Sequence, residues 1–109
     1  MKKVVICVPS LAIGGAERFA VDLALALDKN RFKVIIAITR LNVDSYFKRI
    51  LEQNDVQIVN LAGNDYLTML KKQLQFLNKE KPDVVHAQTG SILHMMLACK
   101  LYNVPIRLY

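Results

Sequence analysis

KVVICVPSLAIGGAERFAVDLALAL, residues 3–27, runs from a continuous apolar stretch into an amphipathic stripe, with two adjacent glycines between them. KVVICV (3–8) shows no polar alternation after Lys3, as a parallel strand covered on both faces requires. Beyond the glycines, Ala16, Phe19, Ala20, Leu23, Ala24 and Leu27 fall at the spacing of one helical face, with Asp22 and Asp28 off it. A strand that feeds a helix through a short turn is the first half of a strand–helix–strand unit.

The rest of the chain repeats that unit. FKVIIAIT (32–39) predicts a second strand, followed by a short helix from about Asp44 to Gln53 capped by Asp44 or Ser45. VQIVNL (56–61) predicts a third strand. A helix follows, with Leu67, Leu70, Leu74 and Leu77 on one face and Asp65 as its N-cap. Pro82 ends that segment and DVVHAQ (83–88) predicts a fourth strand. SILHMMLACKLYN (91–103) predicts a fourth helix, and VPIRLY (104–109) opens a fifth strand. Alternating elements with short connections predict an α/β fold: an open parallel sheet of about five strands with helices on both faces. No covering helix follows the last strand, so the chain is expected to be the truncated N-terminal part of something larger. Its 109 residues suffice for one domain, not two.

Composition narrows the class. Hydrophobic residues make up 53% and charged residues 22%, as in a folded globular protein. The net charge of +6 suits phosphates, nucleic acid or an anionic membrane surface without choosing among them. Basic residues occur as scattered pairs (Lys2–Lys3, Lys48–Arg49, Lys71–Lys72) without interleaved aromatics, so no nucleic-acid partner is expected. Cys7 and Cys99 lie in apolar segments without metal-like spacing and read as buried reduced thiols, which favours the cytoplasm. Pro9 and Ser10 interrupt the first apolar run, which argues against a signal peptide. No stretch approaches the roughly 18 apolar residues of a membrane span.

In open parallel sheets, ligands bind beyond the carboxyl ends of the strands. Four loops lie there: 9–15, 40–43, 61–65 and 88–90. Gly14 and Gly15 allow close approach of the backbone, and the unpaired N–H groups of the following helix favour an anion, most simply a phosphate. Glu17 in the first turn equally suits the helix dipole with no ligand at all, so a plain tight turn stays open beside the phosphate site. A Walker loop is excluded because no Gly-Lys pair occurs. A dinucleotide fingerprint is missing too, since the glycines are adjacent and the second strand ends at Thr39–Arg40. Arg40 leaves a weaker reading as an NADP-binding fold. His86, near the end of the fourth strand, could bond a hydroxylated substrate or shuttle a proton, or serve only as a structural hydrogen-bonder. His86 and His94 have no cysteine or carboxylate company, so no metal is expected, and no cofactor.

Taken together, VPSLAIGGAERFAVDLALAL (8–27), KPDVVHAQTG (81–90) and LYNVPIRLY (101–109) resemble the N-terminal domain of family 4 ("group 1") glycosyltransferases of the two-domain GT-B fold. The likeness spans most of the chain; residues 40 to 80 are not distinctive. The resemblance implies a retaining transferase that moves a sugar from a nucleoside-diphosphate-sugar to an acceptor hydroxyl. Residues 1–109 are then the Rossmann-like, acceptor-side domain, with the donor domain missing. It implies Gly14 and Gly15 against the donor diphosphate, and His86, Gln88 and Thr89 against a sugar or lipid-linked acceptor.

It further implies cell-surface polysaccharide or glycolipid synthesis in the cytoplasm, compatible with peripheral contact at the anionic inner membrane face. Gln88 stands where the family often has a second histidine. The spaced glutamate pair of the family's donor domain is not formed by Glu17, Glu52 and Glu80, and the catalytic residues are expected beyond Tyr109. The chain alone is therefore expected to be inactive. The alternative is a non-enzymatic, doubly wound binding or assembly domain. Ending at strand five leaves apolar surface and a free sheet edge, so self-association is expected.

Overall fold

A computed structural model describes residues 2–9, 15–39, 44–63, 65–87 and 104–108. Its strands are β1 (Lys2–Val8), β2 (Phe32–Ile38), β3 (Val56–Asn60), β4 (Val84–Ala87) and β5 (Ile106–Leu108). Its helices are α1 (Gly15–Ala26), α2 (Ser45–Gln53) and α3 (Tyr66–Glu80). All pairings are parallel, in the order β3-β2-β1-β4-β5. The open parallel α/β sheet expected from the sequence is therefore present. The helix expected over 91–103, with His94 and Cys99, lies outside the described residues.

Strand periodicity divides the core into two layers. Val4, Ile6 and Val8 join Val34, Ile36 and Ile38 on one face, under Ala20, Val21 and Ala24 of α1 and Phe47 and Leu51 of α2. Val5, Cys7, Ile35, Ala37, Val85 and Ala87 form the other face, covered by Phe76 and Leu77 of α3 together with Leu61 and Val104. Two-sided cover explains why β1 and β2 read as unbroken apolar runs. β3, at the sheet edge, is only partly covered: Val56 is buried, Ile58 and Val59 are half-buried, and Gln57 and Asn60 are exposed.

Local chemistry sets the helix ends. Asp44 caps α2, its carboxylate accepting from the Tyr46 N–H at 2.9 Å, and Asn54 Nδ2 donates to the Ile50 carbonyl at 2.8 Å at the other end. Asp65 caps α3 by accepting from the Thr68 N–H at 2.8 Å. α3 closes on Lys81 in the left-handed region (φ 47°), whose N–H donates to the Leu77 carbonyl at 2.8 Å. At the amino ends of the strands, Asp83 Oδ2 accepts from the Lys3 N–H at 2.8 Å, and Glu80 Oε1 lies 3.7 Å from both Lys3 Nζ and Lys33 Nζ.

Two core assignments need correction. Phe19, placed on the buried stripe of α1 by spacing, is 58% exposed, whereas Val21 is buried. Ala20 and Ala24 face the sheet because their small side chains let α1 approach the valine and isoleucine row. That orientation leaves Phe19 about 140° from the centre of the buried arc, at about 100° per residue. In α3, Leu67 is 77% exposed, and the sheet-facing centre is held by Gln73, with Phe76 and Leu77 beside it. Leu70 and Leu74 remain half-buried against the same cluster, so only the first-turn end of the leucine stripe faces solvent.

Candidate functional site

The carboxyl edge of the sheet gathers the ends of β1, β2, β3 and β4. Gly15 is the first residue of α1, directly after the loop that leaves β1. Glu17 lies half-buried in the first turn, where its charge matches the positive end of the helix. Arg18 Nε pairs with Asp22 one turn on, at 3.3 Å on the exposed side. The Thr39 N–H reaches back to the Val8 carbonyl at 3.3 Å and the Pro9 carbonyl at 3.2 Å, tying the exit of β2 to the exit of β1. Gly14 and the rest of 10–14 lie outside the described residues, as do Arg40, Gln88 and Thr89.

β1 and β4 are hydrogen-bonded neighbours, with Ile6 opposite His86 and Cys7 opposite Ala87. The exits of β1 and β4 are therefore adjacent. His86 is half-buried and, by strand parity with Val84 and Ile6, sits on the sheet face that carries α1. Its imidazole makes no hydrogen bond among the described residues.

The exit of β3 is shaped by groups that spacing alone did not single out. Asn60 Oδ1 accepts from the Ala62 N–H at 2.8 Å, and Lys72 Nζ donates to the Ala62 carbonyl at 2.6 Å, which brings a cation to this edge. Gly63 packs so closely on α3 that a Cβ would lie 2.8 Å from the Met69 nitrogen. Asp65 sits fully in solvent. The Thr68 N–H, then the Thr68 hydroxyl, hold its carboxyl below its ordinary range.

A cavity of about 240 Å³ lies at the opposite end, lined by Leu77, Asn78, Lys81, Pro82, Asp83, Val104 and Pro105. That is the amino-terminal side of β4 and β5, away from the strand exits where parallel sheets bind ligands. Among the described residues there is no cluster of His, Cys, Asp or Glu fit for a metal, and no helix is long and apolar enough to cross a membrane.

A parallel sheet of this order, with a glycine-led helix leaving its central strand, defines a Rossmann-like α/β domain. The sequence profile described as Glycosyltransferase Family 4 matches residues 13–108, and the chain belongs to that family. Among solved structures, the UDP-GlcNAc 2-epimerase from Methanocaldococcus jannaschii is similar at 20% identity and a TM-score of 0.54. The alignment covers 97% of this chain and 30% of that one, so this chain spans about a third of its length, and the likeness is one of fold. No curated protein matches the chain.

Proposed function

We propose that residues 1–109 form the acceptor-side, N-terminal domain of a two-domain GT-B glycosyltransferase. That enzyme transfers a sugar, with retention of configuration, from a nucleoside-diphosphate-sugar to an acceptor hydroxyl. Family membership over residues 13–108 is the observation that carries this reading. The adjacency of the β1 and β4 exits supports it by giving donor and acceptor groups a common edge.

In this reading the main-chain amides at Gly14 and Gly15 meet the donor diphosphate, brought across a cleft by a second domain. Their task is electrostatic: fixed N–H dipoles stabilise charge on the departing diphosphate without reorganising. His86, Gln88 and Thr89 hold the hydroxyl groups of a sugar or lipid-linked acceptor. Residues beyond Tyr109 supply the catalytic groups, and residues 1–109 alone transfer no sugar. Synthesis of surface polysaccharide or glycolipid at the inner membrane face is the setting we infer, with the net charge of +6 favouring an anionic surface.

Steady-state kinetics of the full-length enzyme test the division of labour. His86→Ala raises the acceptor KM and leaves the donor KM unchanged, whereas Gly15→Val raises the donor KM and lowers kcat. Unchanged acceptor kinetics in His86→Ala would remove the acceptor assignment. Saturable transfer by residues 1–109 alone would overturn the two-domain reading.

A further inference from the structure

The net charge of +6 is not spread evenly over the two layers of helices. On the α1–α2 side, Arg18 pairs with Asp22 at 3.3 Å, and Lys48 and Arg49 share α2 with Glu52, between Asp44 and Asp55. α3 has no such balance on its outer side. Leu67, Lys71, Lys72, Gln75 and Lys79 are all exposed and, at about 100° per residue, lie within one arc of about 140°. Lys81, also exposed, follows directly. The one acid within the helix, Glu80, is held on the sheet side, 3.7 Å from Lys3 and Lys33, and the N-cap Asp65 accepts from the Thr68 N–H. The Lys71 and Lys79 side chains make no ion pair or hydrogen bond among the described residues. Such a one-signed face attracts an anionic surface. Leu67, at the end of the arc nearest the exit of β3, is 77% exposed.

We propose that this outer face of α3 docks the protein on an anionic phospholipid bilayer, its lysines on the headgroups and Leu67 reaching the acyl boundary. The proposal rests on the membrane setting inferred above and names the surface that serves it. A soluble polyanion would use the lysines alone. A projecting leucine beside them gains by leaving water, which a bilayer offers and a soluble polyanion does not. The apolar side of α3 is already taken up by the sheet, with Phe76 and Leu77 buried and Leu70 and Leu74 half-buried, so the helix lies on the surface rather than inserting. It does so as a fixed element. Gly63 packs closely on Met69, Lys72 Nζ donates to the Ala62 carbonyl at 2.6 Å, and Lys3 Nζ donates to the Glu80 carbonyl at 2.9 Å. Because α3 begins where β3 ends, contact through Leu67 brings the ligand edge beside the bilayer, where a lipid-linked acceptor resides.

Co-sedimentation of the intact 109-residue chain with phosphatidylcholine vesicles, with and without phosphatidylglycerol, tests this. The chain is expected to sediment only with the vesicles that contain phosphatidylglycerol, and to be released by added salt. Each lysine at an anionic surface strengthens binding about fivefold, so Lys71→Gln with Lys79→Gln weakens it roughly 25-fold. Leu67→Ser weakens it severalfold, and Lys48→Gln with Arg49→Gln on α2 leaves it unchanged. All five side chains are exposed, so the melting temperature stays that of the parent. Equal binding by the α3 double variant and the parent overturns the assignment of this face while the membrane setting stands. A parent chain that ignores phosphatidylglycerol overturns both. Inorganic polyphosphate bound as tightly as the vesicles, together with unchanged vesicle binding by Leu67→Ser, makes a soluble polyanion the partner and overturns the bilayer. Transfer by the full-length enzyme to a water-soluble acceptor is unchanged in the α3 double variant, so failure here is distinct from failure of the transferase reading.

Discussion

At the residue scale, much of the edge rests on single side chains that satisfy main-chain groups. Asp65 is the clearest, because its carboxylate takes up the Thr68 N–H that a helix start leaves unpaired. A carboxyl held below its ordinary range in the folded state stabilises at neutral pH, and that contribution is lost as pH falls through its folded value. Asp65→Ala is therefore expected to lower the melting temperature at neutral pH, and to melt with the parent chain well below about pH 4, where both carry no charge there. Thermal scans at the two pH values give the comparison. His86 is the opposite case. It is half-buried and without a hydrogen bond among the described residues, so replacing it tests ligand contact with little cost in stability.

At the element scale, packing separates positions that spacing treats alike. Leu51 is fully buried beneath α2, so Leu51→Ala is expected to cost about 2–5 kcal/mol in chemical denaturation. Phe19, on the same kind of apolar stripe, is 58% exposed, so Phe19→Ser should stay within about 0.5 kcal/mol of the parent. The strands, their parallel sheet, and the cap residues Asp44 and Asp65 were legible because they follow from apolar continuity, short alternating connections and local hydrogen bonding. Helix rotation was not legible. Phe19 and Ala20 are both apolar, and only the space above the sheet decides that Ala20 faces it. Gln73 carried no signal at all, since a glutamine in a lysine- and leucine-rich helix reads as solvent-facing. Of the candidate site residues, spacing placed Gly15 at the start of α1 and His86 near the end of β4. The Lys72 contact to Ala62 depends on a turn whose shape spacing does not reveal.

At the scale of the whole molecule, β3 and β5 are the two edges of the described sheet, and Ile106 on β5 is 49% exposed. An uncovered edge with apolar side chains favours pairing with another chain. Residues 1–109 are expected to self-associate with rising concentration in analytical ultracentrifugation. A single monomer species across the concentration series would contradict that expectation.

The central proposal is that the main-chain amides of Gly14 and Gly15 receive the donor's diphosphate. A crystal structure of the full-length enzyme with a bound nucleoside-diphosphate-sugar tests it most directly. The expected result places the Gly14 and Gly15 nitrogens within hydrogen-bond reach, about 3 Å, of diphosphate oxygens. A diphosphate held elsewhere, with this junction turned from it or covered by another element, would contradict the account.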